Sequence, residues 1–404
     1  MDIISQSVLP FLAMIVVLIV VHELGHFVTA KLAGVKVLEF GLGYPPRLFG
    51  IKRGETEYTV NALPLGGFVR MLGEEDPGDP RSLAAKPRWV RLVVLGAGAF
   101  MNLLLAVLLF ALAFGIPREV DISRARIVDV VPGAPAEAAG LQAGDVIFAI
   151  NGHDVQNISE LSYRLRLDLG ETVTMTVRRA DLPGGADLID VPVFARWSTD
   201  PYFDEDGNEH PQGPTGITIS PAYGTNRPLT PEEREEIAAN LPPGETVPDT
   251  RLVPFSETQW KPPWEALPDG ASRAYETIIL ARHEIESRIR GGFAGGSSGP
   301  AVTGPVGIAQ LTGEVVDEVG WKALIELAAM ISMSLAVLNI LPVPMLDGGR
   351  VVFVLLEYLR GGRRIAPQKE AMVHFAGMVV ILALAAVITF IDLQRIFGGE
   401  GILR

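Results

Sequence analysis

From Val8 to Val21 no residue carries a charge, and His22-Glu23-Leu24-Gly25-His26 follows at once. A run this apolar is a candidate membrane span. Ionisable side chains are costly inside a bilayer, so three of them within five residues ask for a functional reason. On a helix His22 and His26 lie one turn apart on one face, where both imidazoles can reach a single metal ion. Glu23 stands between them, placed to take a proton from a water bound there. On a solvated helix the same residues would be ordinary surface, but Phe11 to Val21 leaves no polar face. The pattern therefore predicts a zinc hydrolase site at bilayer depth.

Composition narrows the chemistry. The 404 residues contain no cysteine, so neither a disulfide framework nor a thiolate metal site is available, and His and carboxylate must supply any ligands. A formal charge of −13 argues against a nucleic-acid partner, which calls for a basic face. Four segments have the length and apolarity to span a bilayer: Val8–Ala30, Val90–Phe114, Ala323–Leu341 and Ala371–Ile391. The first lacks the basic start and small-residue cleavage site of a signal peptide and is expected to stay in place. Lys and Arg crowd residues 31–91 and recur at Arg350, Arg360, Arg363, Arg364 and Lys369, whereas residues 1–10 have none. The positive-inside rule then puts both termini and the long 115–322 region outside the cytoplasm.

Between the first two spans, Val35–Phe40 and Glu57–Val60 lean towards β-structure, followed by the apolar, Pro- and Gly-interrupted stretch Asn61–Arg70. This reads as a hairpin, either plainly cytoplasmic or dipping beside the metal with an edge free to pair with an extended substrate. Residues 116–220 read as a soluble β-rich domain, with helices at Ala136 onwards and Ser159–Leu169, an alternating strand at Thr172–Arg178 and a closing strand at Gly216–Ile219. The string Pro135-Ala-Glu-Ala-Ala-Gly-Leu-Gln-Ala-Gly-Asp-Val-Ile147 resembles PDZ domains of bacterial proteases. Residues 221–300 read as a Pro-rich linker and an amphipathic helix. A short helix is predicted at Pro231–Ala239, with Thr230 as N-cap and Glu233 closing a capping box. The longer helix, Ala271–Arg290, is expected to pack against the soluble domain, and Gly291–Gly299 to break it from the C-terminal membrane part at 301–404. The N-terminal membrane part is residues 1–115.

Two histidines leave a catalytic zinc one protein ligand short. Glu39 falls in the hairpin region, and His153, His210 and His283 belong to the soluble part; His374 opens the fourth span. The stronger candidate is Asp347, in Asn339-Ile-Leu-Pro-Val-Pro-Met-Leu-Asp-Gly-Gly349, where Pro342 and Pro344 break the third span and two glycines permit close backbone approach. Asp347 is also placed to be the N-cap of a following helix, Arg350–Leu359. Depth favours the ligand reading. Counting about 1.5 Å per residue puts His22 roughly 21 Å down the first span, near the cytoplasmic face that the third span also reaches at its broken end.

An H-E-x-x-H in the first span, N-x-x-P-x-P-x-L-D-G in the third and a PDZ-like region between them resemble the site-2 protease family, most closely its RseP-like bacterial branch that cleaves anti-sigma factors. The resemblance implies a polytopic α-helical membrane protein with four transmembrane helices, a membrane-associated β-hairpin between the first two and an inserted extracytoplasmic PDZ domain. It implies Zn2+ held by His22, His26 and Asp347, with Glu23 as general base and acid. Gly98-Ala-Phe-Met-Asn102 matches a family motif whose Asn steadies the substrate carbonyl, and Asn339 matches a second polar residue near the scissile segment; Ala99 stands where the family more often has Pro. Read from the residues alone, an Asn in an apolar span could equally bridge two helices. The implied activity is regulated intramembrane proteolysis in a bacterial inner membrane. The implied substrate is a single-span membrane protein, an anti-sigma factor or signal-peptide remnant, already trimmed by another protease and screened by a PDZ domain that binds peptide or filters by size. A catalytically silent PDZ scaffold is the alternative.

Overall fold

A computed structural model describes residues 7–74, 77–179, 188–197, 202–203, 209–210, 212–231, 234, 250–291 and 304–398. The chain divides into two units. One comprises Met1–Ile116, Lys261–Ile278 and Pro300–Arg404; the other comprises Pro117–Trp260 and Ile279–Gly299.

The first unit opens with helix α1 (Leu9–Leu32). Its proline sits in the first turn, where a missing N–H costs nothing, and nothing after it interrupts the helix. Two long strands follow, β1 (Val37–Arg53) and β2 (Thr56–Met71), paired antiparallel. Their register shows more than a hairpin: Phe40 faces both Val69 and Tyr58, and Tyr58 also faces Ile51. Both strands therefore bend back, and residues 67–71 lie at one margin of the resulting sheet beside 37–42. The turn between them is tied to the end of α1, because Lys31 and Arg81 both pair with Glu55. Those two cations hold the Glu55 carboxyl down to about 2. Helix α2 (Arg88–Gly115) starts directly after Pro87.

In the second unit, β3 (Arg118–Ile122) leads into β4 (Ala125–Val130), α3 (Pro135–Ala138), β5 (Val146–Ile150), α4 (Ile158–Leu167), β6 (Thr172–Arg178), β7 (Leu188–Phe194) and β8 (Ile217–Pro221). These build a sheet of order β8-β4-β5-β6-β7, with the two-residue strand His153–Asp154 pairing off β5. Alternation in β6 buries Val173, Met175 and Val177 against Ile127, Ile147 and Leu161, giving this unit its own core. Helix α4 starts at Asn157, whose side chain accepts the Glu160 N–H at 2.9 Å. Residues after 220, read from sequence as a linker, contribute two further ladders: β9 (Thr225–Pro228) with β10 (Thr250–Val253), and β11 (Phe255–Gln259) with β3. The Glu233 capping box, nearly all of Pro231–Ala239 and all of the Gly291–Gly299 break except Gly291, which still belongs to a helix, lie outside the described residues.

Helix α5 (Pro263–Gly291) starts at Pro263 rather than Ala271 and carries Pro268 within it. Its halves part company. Gly270 crosses α2 at Val107 and Ala111, and Ala274 joins Ala106, Phe110, Ala329 and Met333 in the core of the first unit. In the second half, the His283 ring bonds the Arg166 carbonyl at 3.0 Å and packs edge-on against Trp197. Packing against the soluble domain thus describes only the second half.

The first unit is completed by α6 (Pro305–Glu318), α7 (Ala323–Ile340), α8 (Asp347–Leu359) and α9 (Pro367–Phe397). Helix α6 has no side-chain cap of its own. Its opening N–H groups, on Gly304 and Gly307, donate instead to Asp392 of α9 at 3.0 and 2.9 Å, which accounts for a fully buried carboxylate in an apolar helix. Helices α1, α2, α7 and α9 are each long and apolar enough to cross a membrane.

Candidate metal centre

The i, i+4 spacing sets His22 and His26 on one face of α1, and Gly25 lets that face close on α2. A Cβ at Gly25 would lie 2.4 Å from the Ala97 carbonyl oxygen, so any larger residue would push the helices apart. His26 is buried, and its Nδ1 donates to the Val94 carbonyl at 2.8 Å. That bond commits Nδ1 as the donor and leaves Nε2 as the nitrogen that faces inward.

Asp347 comes from the other end of the chain. Helix α7 stops at Ile340 because Pro342 and Pro344 cannot continue it. The returning turn packs closely, since a Cβ on Gly348 would sit 2.1 Å from the Leu341 carbonyl oxygen. Asp347 is the first residue of α8, yet its carboxylate is not the cap: Leu346 holds that position, without a side-chain bond. Asp347 Oδ2 lies 3.1 Å from His22 Nε2 and 3.0 Å from His26 Nε2, and the two imidazole nitrogens are 3.2 Å apart. The position of α8 is secured at its far end, where Glu357 pairs with Arg91 at 2.6 Å and Arg88 at 3.2 Å on α2.

Among the described residues, His22, His26 and Asp347 form the one cluster with metal-ligand geometry, its three donor atoms all within 4.8 Å of one another. Two imidazoles and a carboxylate are a catalytic zinc donor set with one position left over. Space for an ion is also provided. A Cβ on Gly98 of α2 would lie 2.3 Å from His26 Nε2 and 2.5 Å from His22 Nε2, so glycine keeps the region between the donor nitrogens and α2 clear. The residues fit zinc.

Comparison with known proteins decides the family. The profile of Peptidase family M50 matches residues 10–384. The chain belongs to peptidase family M50, the site-2 proteases. A Clostridium perfringens protein named as a zinc metalloprotease is 32% identical over 377 residues, covering 93% of this chain and 95% of its own. One from Agrobacterium fabrum is 29% identical, covering 97% of this chain and 96% of its own. Zinc metalloprotease RasP of Oceanobacillus iheyensis is 25% identical, covering 97% and 99%. Among solved structures, the PDZ domain of the SdrC-like protein of Listeria monocytogenes overlaps 25% of this chain and 90% of its own at 24% identity, with a TM-score of 0.17. This M50 chain is a zinc metalloendopeptidase of the site-2 type, with the apolar helices of a membrane protein.

The other residues singled out in the sequence of this protease fall in different places. Glu23 lies against the marginal stretch of β2: a Cβ on Gly67 would come 3.1 Å from its Cγ. Asn102 is 1% exposed and meets His22 Nδ1 at 3.4 Å. The Asn339 amide donates to the Leu335 carbonyl at 3.0 Å, one turn back on its own helix, and is not drawn into the cluster. Glu39 bonds Thr59 and Arg70 within the hairpin sheet. His374 is not a ligand; its Nδ1 accepts the Met345 N–H at 2.8 Å, steadying a residue held at φ 82° two positions before Asp347. Sequence reasoning missed the Val94 carbonyl, the role of Gly98 and the bond from the Ser332 hydroxyl to the Asn102 carbonyl at 2.8 Å. Only Gly98 carried a visible signal, four residues before Asn102 on the same helix face.

Proposed function

We propose that this site-2 protease hydrolyses a peptide bond within or at the edge of the apolar segment of a single-span membrane protein, with zinc held by His22, His26 and Asp347. The observation that carries this reading is the meeting of those three donor groups, from opposite ends of the chain, beside Glu23 on a helix apolar enough to span a bilayer. Bound zinc supplies Lewis acidity, activating water near neutral pH and polarising the amide carbonyl. Glu23 takes the proton of the attacking water and returns it to the leaving amine. His26 is held in its working tautomer by Val94, and α8 delivers Asp347. A helical substrate hides its amides and must unwind first. Residues 67–71 offer an extended margin that runs past Glu23, and among the described residues only the 37–42 side of that margin is paired. An unwound segment adding there as a strand would bring its backbone to Glu23. Asn102 and Asn339 are the polar groups assigned to the substrate by the family resemblance.

The charge pattern supports placing residues 31–91 in the cytoplasm of a bacterial cell, with the second unit and both termini outside an inner membrane. The sheet of the second unit, its two helices and the Pro135–Ile147 string support a PDZ domain that binds peptide or filters substrates by size. An anti-sigma factor or signal-peptide remnant, trimmed by an earlier protease, fits such a gate. The test uses the purified protein in detergent with a trimmed single-span substrate. Product termini mapped by mass spectrometry are expected inside or at the edge of the apolar segment; removal of zinc by a chelator is expected to stop cleavage and zinc to restore it. Cuts confined to soluble tails, or full activity after metal removal, would contradict the proposal.

A further inference from the structure

Both imidazoles of the centre must present Nε2 as a lone pair if they are to hold a metal, so both must carry the ring proton on Nδ1. That proton needs an acceptor, and buried donors are rarely left without one. For His26 the acceptor is the Val94 carbonyl. No backbone carbonyl is bonded to the His22 Nδ1 among the described residues; the group that meets it is the side-chain amide of Asn102, at 3.4 Å. The same amide has an unsatisfied end, for Asn102 Oδ1 is buried without a hydrogen-bond partner. The two ends of a carboxamide are nearly the same size and shape, so the bonds they make decide which faces the ring. With the oxygen towards His22, the Nδ1–H gains an acceptor; the NH2 then takes the side on which the oxygen had no partner, so the ring proton that a metal-binding His22 must carry decides the orientation. The residue itself is held in place: Asn102 is 1% exposed, and the Ser332 hydroxyl bonds its backbone carbonyl at 2.8 Å, fixing α2 to α7 at this residue.

We propose that Asn102 is a positioning residue of the metal centre, its Oδ1 accepting the Nδ1–H of His22 and fixing the tautomer that presents Nε2 to zinc. This rests on His22 being a zinc ligand, as proposed above. It differs from the role carried over by the family motif, in which Asn102 steadies a substrate carbonyl. That role uses the NH2 end of the amide, whereas the present one uses the oxygen. Outer-sphere partners of ligating histidines typically change metal affinity by about 10–100-fold when removed.

The experiment measures the zinc dissociation constant of the full-length protein in detergent by competition with a chromophoric chelator, for wild type, Asn102→Asp, Asn102→Leu and His22→Ala. Asn102→Asp keeps an oxygen at the ring and removes the NH2; Asn102→Leu fills the space with no acceptor. The expected result is a loss of about 10–100-fold in zinc affinity for Asn102→Leu and near wild-type affinity for Asn102→Asp. If Asn102→Leu binds zinc as tightly as wild type, or Asn102→Asp loses as much as Asn102→Leu, the proposal is overturned. If His22→Ala retains wild-type affinity, the ligand assignment itself fails and takes this proposal with it, an outcome separable from failure of the Asn102 arm alone.

Discussion

Replacing Glu23 with Gln should leave the protein folded and loaded with zinc while proteolysis falls by about 10^2–10^4-fold, the usual contribution of a positioned general base. The substitution preserves shape and removes only basicity, and Glu23 is not among the three donors that converge on the site. Its side chain instead lies against the margin of β2, close to Gly67. Cleavage of a single-span substrate and zinc content, measured on the same preparation, separate this role from a ligand role. A Gln variant that cleaves at the wild-type rate would remove Glu23 from the mechanism. One that loses its zinc would make it part of the metal site.

A single methyl group at position 98 should be comparably damaging by a different route. In Gly98→Ala the new Cβ would lie 2.3 and 2.5 Å from the two imidazole nitrogens that face the site, far inside van der Waals contact. Neither ring has an easy retreat: His26 is anchored through Val94, and α1 is already in near contact with α2 at Gly25. Zinc affinity is expected to fall by more than about 100-fold, equivalent to at least ~2.7 kcal/mol, with cleavage falling alongside. Gly96→Ala on the same helix is the control, because nothing lies within 4 Å of its added Cβ. It should bind zinc and cleave as wild type does. Equal behaviour of the two variants, read by chelator competition, would show that the space beside Gly98 is not needed for metal.

What the sequence could reveal depended on how local the determining physics is. Apolar runs locate the four long apolar helices well, since burial in lipid acts on each segment by itself. Their limits are set by other forces. Helix α9 begins at Pro367, ahead of the apolar run, because proline is favoured in a first turn whatever the hydropathy of the next residues. Helix α6 escaped notice because its composition is mixed and its start is completed by Asp392, a partner distant in sequence. The fold-back of β1 and β2 was equally hidden: β-leaning residues announce strands but not that Phe40 will sit between Val69 and Tyr58.

At the metal centre the pairing of His22 with His26 follows from helical spacing, and Asp347 was singled out because two spans running in opposite directions reach the same depth. The geometry also answers why Asp347 is not merely a helix cap, since its carboxylate turns to the histidines and leaves the α8 terminus uncapped. The significance of Gly98 and of the unpaired Asn102 oxygen depends on contacts of a few ångströms between α1 and α2, which no spacing rule contains.

Zinc K-edge X-ray absorption on the purified protein and on Asp347→Ala tests most directly whether a histidine pair near the start of the chain and an aspartate near its end hold one zinc ion. The wild-type spectrum should show two imidazole nitrogens at about 2.0–2.1 Å and carboxylate oxygen at about 2.0–2.2 Å, and the variant should lose the ion or the carboxylate contribution. A wild-type protein that binds no zinc, or a spectrum unchanged by Asp347→Ala, would contradict it.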